Sequence, residues 1–142
     1  LSEINAAFLF EQLIRSKKII NNRKKIFNTY TDKFKKLSLK GFIKLPIIPK
    51  YSGYNGHMYF IQIIKEKRSS LINHLKKNSI TSLFHYVPLH STKFGKKNCK
   101  IKFEMKNTNL AGNKLLRMPI HQDIKIKQID KILKVVSDFF NV

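Results

Sequence analysis

The first forty residues contain neither glycine nor proline. Apolar side chains recur there at Ile4, Ala7 and Phe8, Leu13 and Ile14, Ile19 and Ile20, Ile26 and Phe27, Tyr30, Phe34 and Leu37. Steps of three, four and seven place them on one face of a helix. Ser2 is the expected N-cap and Gly41 the expected stop. A helix of about 36 residues would run roughly 54 Å, which is long for a globular domain, and leaves room for a kink near Ser16 or Asn21. Read from residues alone, such a segment is a coiled-coil arm, yet the face lacks sustained a/d heptads.

Beyond Gly41 the pattern changes. Residues 41–56 carry Pro46, Pro49, Gly53 and Gly56 and predict a loop. Met58 to Ile64 is rich in aromatic and β-branched residues and predicts a buried strand. Arg68 to Asn78 places Leu71, Ile72 and Leu75 on one face of a short helix, and Ile80 to Tyr86 predicts a second strand. Residues 91–107 are polar and lysine-rich and predict a loop. Asn109 to Arg117 reads as a helix capped by Thr108 or Asn109 and stopped by Pro119. An extra strand is allowed near Met118–Ile120. Ile126 to Phe140 forms a final amphipathic helix through Ile129, Ile132, Leu133, Val136, Phe139 and Phe140. The expected class is α+β: a long N-terminal helix followed by a small sheet with flanking helices.

The 142 residues suffice for one domain with a real core, and 42% are hydrophobic. No apolar run of about 18 residues exists, so no membrane span is expected. Glu3 and the lack of a basic stretch before an apolar core argue against a secretory signal. The chain opens on Leu1, which leaves trimming or an unusual start codon open. A lone cysteine, Cys99, cannot form an internal disulfide, and a cytoplasmic location is the default.

The net charge of +21 would suit a binder of nucleic acid or of an anionic surface. However, 25 of the 29 basic residues are lysine, whereas phosphate and base recognition favours arginine forks. Lysine, asparagine and isoleucine make up 56 of the 142 residues, all with A/T-rich codons, and the lysines are dispersed. A solvated surface is therefore expected, with no specific nucleic-acid partner. Charge alone still predicts nonspecific sticking at low salt.

The groups able to do chemistry cluster at His85-Tyr86-Val87-Pro88-Leu89-His90. The two histidines are five apart with no glutamate between them, which is not a zincin pair. His57, His74 and His121 show no ligand spacing, so no metal is expected. Cys99 sits among lysines and reads as a surface thiol, not a nucleophile. No phosphate loop and no dinucleotide-binding glycine pattern is present. For His85, Tyr86 and His90 the bland reading is a strand end whose polar tips bond nearby backbone. For Arg117 it is a helix C-terminal residue complementing the dipole; the alternative is a group that orients a phosphate or closes a domain interface.

Three segments in order, Asn55-Gly56-His57-Met58-Tyr59, His85–His90 and Leu115-Leu116-Arg117-Met118-Pro119, together with the opening Leu1-Ser2-Glu3-Ile4-Asn5-Ala6-Ala7-Phe8-Leu9, resemble the C-terminal part of the DegT/DnrJ/EryC1/StrS aminotransferases. The resemblance covers the whole chain but only about the last third of a family member. It implies the C-terminal small domain of a fold-type I pyridoxal-phosphate aminotransferase. Residues 1–40 would then be the helix bridging from the large domain, and 41–142 the small α+β domain. It also implies amino transfer, usually from glutamate, to a 4-keto-6-deoxy sugar on a nucleoside diphosphate. Asn55, His57, His85, Tyr86 and His90 would contact this nucleotide-sugar, because imidazole and amide groups hydrogen-bond hydroxyl and diphosphate oxygens.

The pyridoxal phosphate cofactor of the family needs a Schiff-base lysine and an acidic partner for the pyridine nitrogen. In the family both lie ahead of the region matched here, and none of the 25 lysines stands in that motif. The chain alone is expected to be inactive and not to hold the cofactor covalently. It would be a fragment, half of a split enzyme or a drifting remnant, with a large-domain chain or a second copy as partner. Two other readings remain open at this point: a small basic protein for nucleic acid or anionic surfaces, and a homodimerising interaction protein.

Overall fold

The computed structural model describes residues 2–100 and 103–142. Leu1, which opens the first family-like segment, and Ile101 and Lys102, in the loop expected over 91–107, lie outside the described residues. Six helices and a four-stranded antiparallel sheet follow in the order α1 (Glu3–Ile14), α2 (Ser16–Leu39), β1 (Ile43–Lys44), β2 (Tyr59–Ile63), α3 (Arg68–Lys77), β3 (Leu83–Phe84), α4 (Lys93–Asn98), α5 (Lys106–Lys114), β4 (Leu115–Met118) and α6 (Ile126–Phe139).

The glycine-free opening is helical as expected and bends once. Ser2 caps α1, its hydroxyl accepting from the Asn5 amide. Arg15, at φ −88° and ψ 1°, separates α1 from α2, next to Ser16, the first of the two places open to a kink, while the helix continues through Asn21. The ladder almost carries through, since the Ile19 amide donates to the Arg15 carbonyl at 3.1 Å. Gly41, at φ +74°, ends the helix in a left-handed conformation that suits glycine. Ile26, Phe27, Tyr30, Phe34 and Leu37 of α2 are buried, whereas α1 buries nothing.

The sheet order is β1-β2-β4-β3. β2 pairs β4 with Tyr59 opposite Met118 and Ile61 opposite Leu116. Those residues, with Ile63, face the core and are buried. Helices α2, α3 and α6 supply the rest of the core through Tyr30, Phe34, Leu71, Leu75, Ile129 and Val136. An aromatic stack ties helix to sheet: the Tyr30 and Tyr59 rings lie 4.8 Å apart and nearly parallel, with Phe27 edge-on to Tyr59 at 4.9 Å. The α6 helix is also tied to α2 by Lys33–Asp130 at 2.6 Å.

Four expectations are corrected. The helix expected over Asn109–Arg117 runs instead over Lys106–Lys114, and its N-cap position is Met105, not Thr108 or Asn109. Arg117 therefore lies within β4 and not at a helix end. Leu115–Met118 is drawn into the sheet because it can pair with β2 on one side and β3 on the other, a long-range gain that overrides local helical spacing. The strand expected over Ile80–Tyr86 is reduced to Leu83–Phe84, since only those two residues find partners on β4. The stretch 91–107 holds α4, capped by the Thr92 hydroxyl accepting from the Gly95 amide at 3.0 Å. The loop over 41–56 contains β1, paired with β2 through Ile43 and Ile63.

Candidate functional site

The Asn55–His57 loop is clamped onto α2. Gly56 has φ +65°, and a Cβ there would fall 2.7 Å from the Arg23 carbonyl carbon. Only glycine lets the loop lie this close to the helix backbone. The Tyr54 hydroxyl donates to Asn28 Oδ1 at 2.8 Å, and its ring meets Phe27 at 5.0 Å. The Arg23 guanidinium donates to the His57 carbonyl at 3.4 Å.

Within the loop, Asn55 orients His57. Asn55 Oδ1 accepts the His57 backbone N–H at 3.1 Å and lies 2.8 Å from His57 Nδ1. An oxygen receiving a backbone N–H can only be an acceptor toward the ring as well, which puts the imidazole proton on Nδ1. Nε2 is then the nitrogen left for a ligand.

His57 lines a cleft of about 200 Å³ together with Met58, Thr81, Leu83, Arg117, Met118, Pro119 and Ile120. A second hollow of about 350 Å³ shares His57 and adds Asn55, Tyr54, Gly56 and Phe60. Arg117 reaches the first cleft because the register pairs it with Phe60 on β2 and Leu83 on β3, on the sheet face away from the core. Sequence spacing brought Asn55 and His57 together. Thr81 and Leu83 were missed, since Leu83 reaches the cleft through its pairing with Arg117 and Thr81 lies just ahead of that strand, neither following from a local pattern.

His85, Tyr86 and His90 form a separate group. The His85 and Tyr86 rings meet edge-on at 4.8 Å. His90 Nε2 lies 2.8 Å from Asn109 Oδ1 on α5. The segment is held by α4: a Cβ at Gly95 would fall 2.0 Å from the Leu89 carbonyl oxygen, so glycine alone permits the contact. Tyr86, Val87 and Leu89 are exposed. The cleft around His57 includes Leu83 of the preceding strand β3 but none of these three polar residues.

Arg68 ties α3 to the junction of α5 and β4. Its guanidinium donates to the carbonyls of Gly112 and Leu115 and lies 5.3 Å over the Phe84 ring. Burial lowers its pKa, as desolvation disfavours the cation. Beneath the site, burial raises the pKa of Tyr30 and pushes that of Tyr59 up to about 12. Tyr30 donates to the Pro119 carbonyl at 2.7 Å. The Tyr59 hydroxyl is buried with no hydrogen-bond partner among the described residues. Thr31 is near enough to favour the phenolate slightly, but its hydroxyl donates to the Phe27 carbonyl and falls short of bonding Tyr59.

Among the described residues no cluster of three or more histidine, cysteine, aspartate or glutamate side chains could hold a metal. No described helix is long and apolar enough to cross a membrane. Cys99 is exposed, as expected of a surface thiol. None of the described lysines is buried, so none offers the desolvated amine that a Schiff base with a carbonyl cofactor uses. The described residues do not fit the anchoring end of pyridoxal phosphate.

The model of the DegT/DnrJ/EryC1/StrS aminotransferase family matches residues 1–137. An uncharacterized protein of Methanocaldococcus jannaschii, MJ1066, is 26% identical over 147 residues, covering 97% of this chain and 37% of its own length. A DegT DnrJ EryC1 StrS aminotransferase from Brucella abortus superposes with a TM-score of 0.84 at 25% identity, over 98% of this chain and 36% of that one. Helicobacter pylori PseC, an aminotransferase involved in the biosynthesis of pseudoaminic acid, shares the fold with a TM-score of 0.87 at 18% identity, over 99% of this chain and 38% of its own. The chain thus spans about a third of the length of the proteins it matches.

Proposed function

Because the chain belongs to the DegT/DnrJ/EryC1/StrS aminotransferase family, we propose that it forms the C-terminal small domain of a pyridoxal-phosphate-dependent sugar aminotransferase and supplies the substrate-side wall of its active site. The substrate proposed is a dTDP-linked 4-keto-6-deoxy sugar, by similarity to dTDP-4-amino-4,6-dideoxygalactose transaminase. Asn55, His57, His85, Tyr86 and His90 bind and orient it. The cofactor, when bound, supplies the electron sink for amino transfer; its lysine belongs to the large domain, and these residues alone are inactive.

The observation that carries the reading is the Asn55–His57 arrangement. A loop pinned at four points to α2 holds an imidazole in one tautomer and leaves Nε2 available, the preorganisation that a binding site uses. The α1 helix supports it. Ile4 is 83% exposed, Phe8 69% and Phe10 63%. So many exposed apolar side chains on one helix mark a contact element, and we assign it to the large domain, with residues 1–40 as the bridge.

The test is a titration of the chain with a dTDP-linked 6-deoxy sugar, followed by NMR. Saturable shifts at Asn55, His57, His85, Tyr86 and His90 are expected. Shifts confined to exposed lysines and abolished by about 0.15 M salt would refute the assignment, since screening removes binding that rests on surface charge.

A further inference from the structure

The four arginines have different fates. Arg15 pairs with Glu11 at 3.4 Å. Arg23 donates to the His57 carbonyl, and Arg68 to the carbonyls of Gly112 and Leu115. Arg117 has no hydrogen-bond or ion-pair partner among the described residues, although it is only partly exposed and sits on an interior strand of the sheet. A guanidinium carries five donors in a rigid fork. The Arg117 nitrogens are not among the buried unpartnered atoms; no group among the described residues competes for the fork, and a ligand needs only to replace water there.

We propose that the cleft between Arg117 and His57 is an oxyanion site that takes a carboxylate or a phosphate group. The proposal deepens the substrate-side reading above and rests on it for the presence of a small-molecule ligand. Arg117 supplies the planar fork that matches two oxygens at once. Thr81 and His57 also line the cleft; the Thr81 hydroxyl can donate to the anion, whereas His57 Nε2, unprotonated in the tautomer that Asn55 fixes, can only accept and suits a ligand hydroxyl beside the anionic group. No aspartate or glutamate lines the cleft to compete for the guanidinium. Its volume, about 200 Å³, is below the roughly 300–1,000 Å³ of a site for a whole drug-sized ligand, which suits a single anionic group at the end of a larger molecule. Arg117 is flanked by paired strands on both sides, which holds its Cα at the cleft.

The test uses small anions and neither cofactor nor nucleotide. The chain is titrated calorimetrically with glutarate and, separately, with inorganic diphosphate at about 0.15 M salt, where bulk attraction to the basic surface is screened. One saturable site is expected. Arg117→Gln weakens it at least about tenfold, the scale of a charge-assisted bidentate contact. Arg117→Lys, which keeps the charge but not the fork, falls in between and guards against a folding defect in the glutamine variant. Lys97→Gln removes the same charge from an exposed helix and leaves the affinity unchanged. Tighter glutarate assigns the site to a carboxylate, and tighter diphosphate to a phosphate. Absence of a saturable site, or equal weakening by Arg117→Gln and Lys97→Gln, overturns the proposal. Such a failure leaves the nucleotide-sugar titration free to succeed at His85, Tyr86 and His90, whereas failure there leaves small-anion binding at Arg117 measurable.

Discussion

Two stacked tyrosines should respond oppositely to loss of their hydroxyls. Tyr30 donates to the Pro119 carbonyl at 2.7 Å, whereas the Tyr59 hydroxyl is buried without a partner among the described residues. Tyr30→Phe removes a bond worth about 1 kcal/mol and strands a partly buried carbonyl, for a total loss of about 1–3 kcal/mol. Tyr59→Phe removes an unmet polar group and keeps the ring contacts at 4.8 and 4.9 Å. It should stabilise by about 1–2 kcal/mol, roughly 3–6 °C in Tm for a domain of this size. Urea unfolding at neutral pH measures both, with unchanged m values. Alkaline pH adds a second readout. Folding raises the Tyr59 pKa from 10.0 to about 12. The unfolded chain therefore loses this proton first. Its contribution is fully present below pH 10 and disappears as pH climbs to about 12, with a slope of at most about 1.4 kcal/mol per pH unit. The Tyr59→Phe variant should lack that component. Destabilisation by Tyr59→Phe, matching that of Tyr30→Phe, would refute the reasoning, because it would mean that the hydroxyl has a partner.

Gly56→Ala places a Cβ at positive φ and against the Arg23 backbone; a loss of about 2–4 kcal/mol in urea unfolding is expected, with His57 NMR signals shifted. Phe8→Glu with Leu13→Glu should leave the unfolding midpoint within about 0.5 kcal/mol, since α1 buries nothing. The same pair should reduce the concentration-dependent self-association expected in sedimentation from the exposed apolar side chains of α1.

Elements with a complete local signal were legible in the sequence. Ser2 and Gly41 bounded the helical opening, β2 showed its aromatic and β-branched run, and α3 and α6 showed their stripes. The remainder depended on distant partners. Leu115 to Met118 has helical spacing, and only its pairing with Tyr59–Gln62 and Leu83–Phe84 makes it a strand. The helix α4 is short and depends on Thr92 and on the approach of Leu89 to Gly95. The apolar periodicity of residues 1–40 was uniform, yet burial begins only at Ile26, because the sheet lies under the second half of α2. At the site, Asn55 and His57 were close in sequence and stayed close in space. Arg117 entered the His57 cleft through strand register, and Leu83 came with it as its partner on β3.

The most direct test of the central claim, that these residues form the substrate side of an aminotransferase whose cofactor lysine lies elsewhere, is to mix the chain with pyridoxal phosphate. The absorbance near 400 nm is recorded, followed by borohydride reduction and peptide mapping. Because no described lysine is buried, scattered substoichiometric labelling is predicted. Stoichiometric labelling of a single lysine would contradict the account and place the cofactor on this chain.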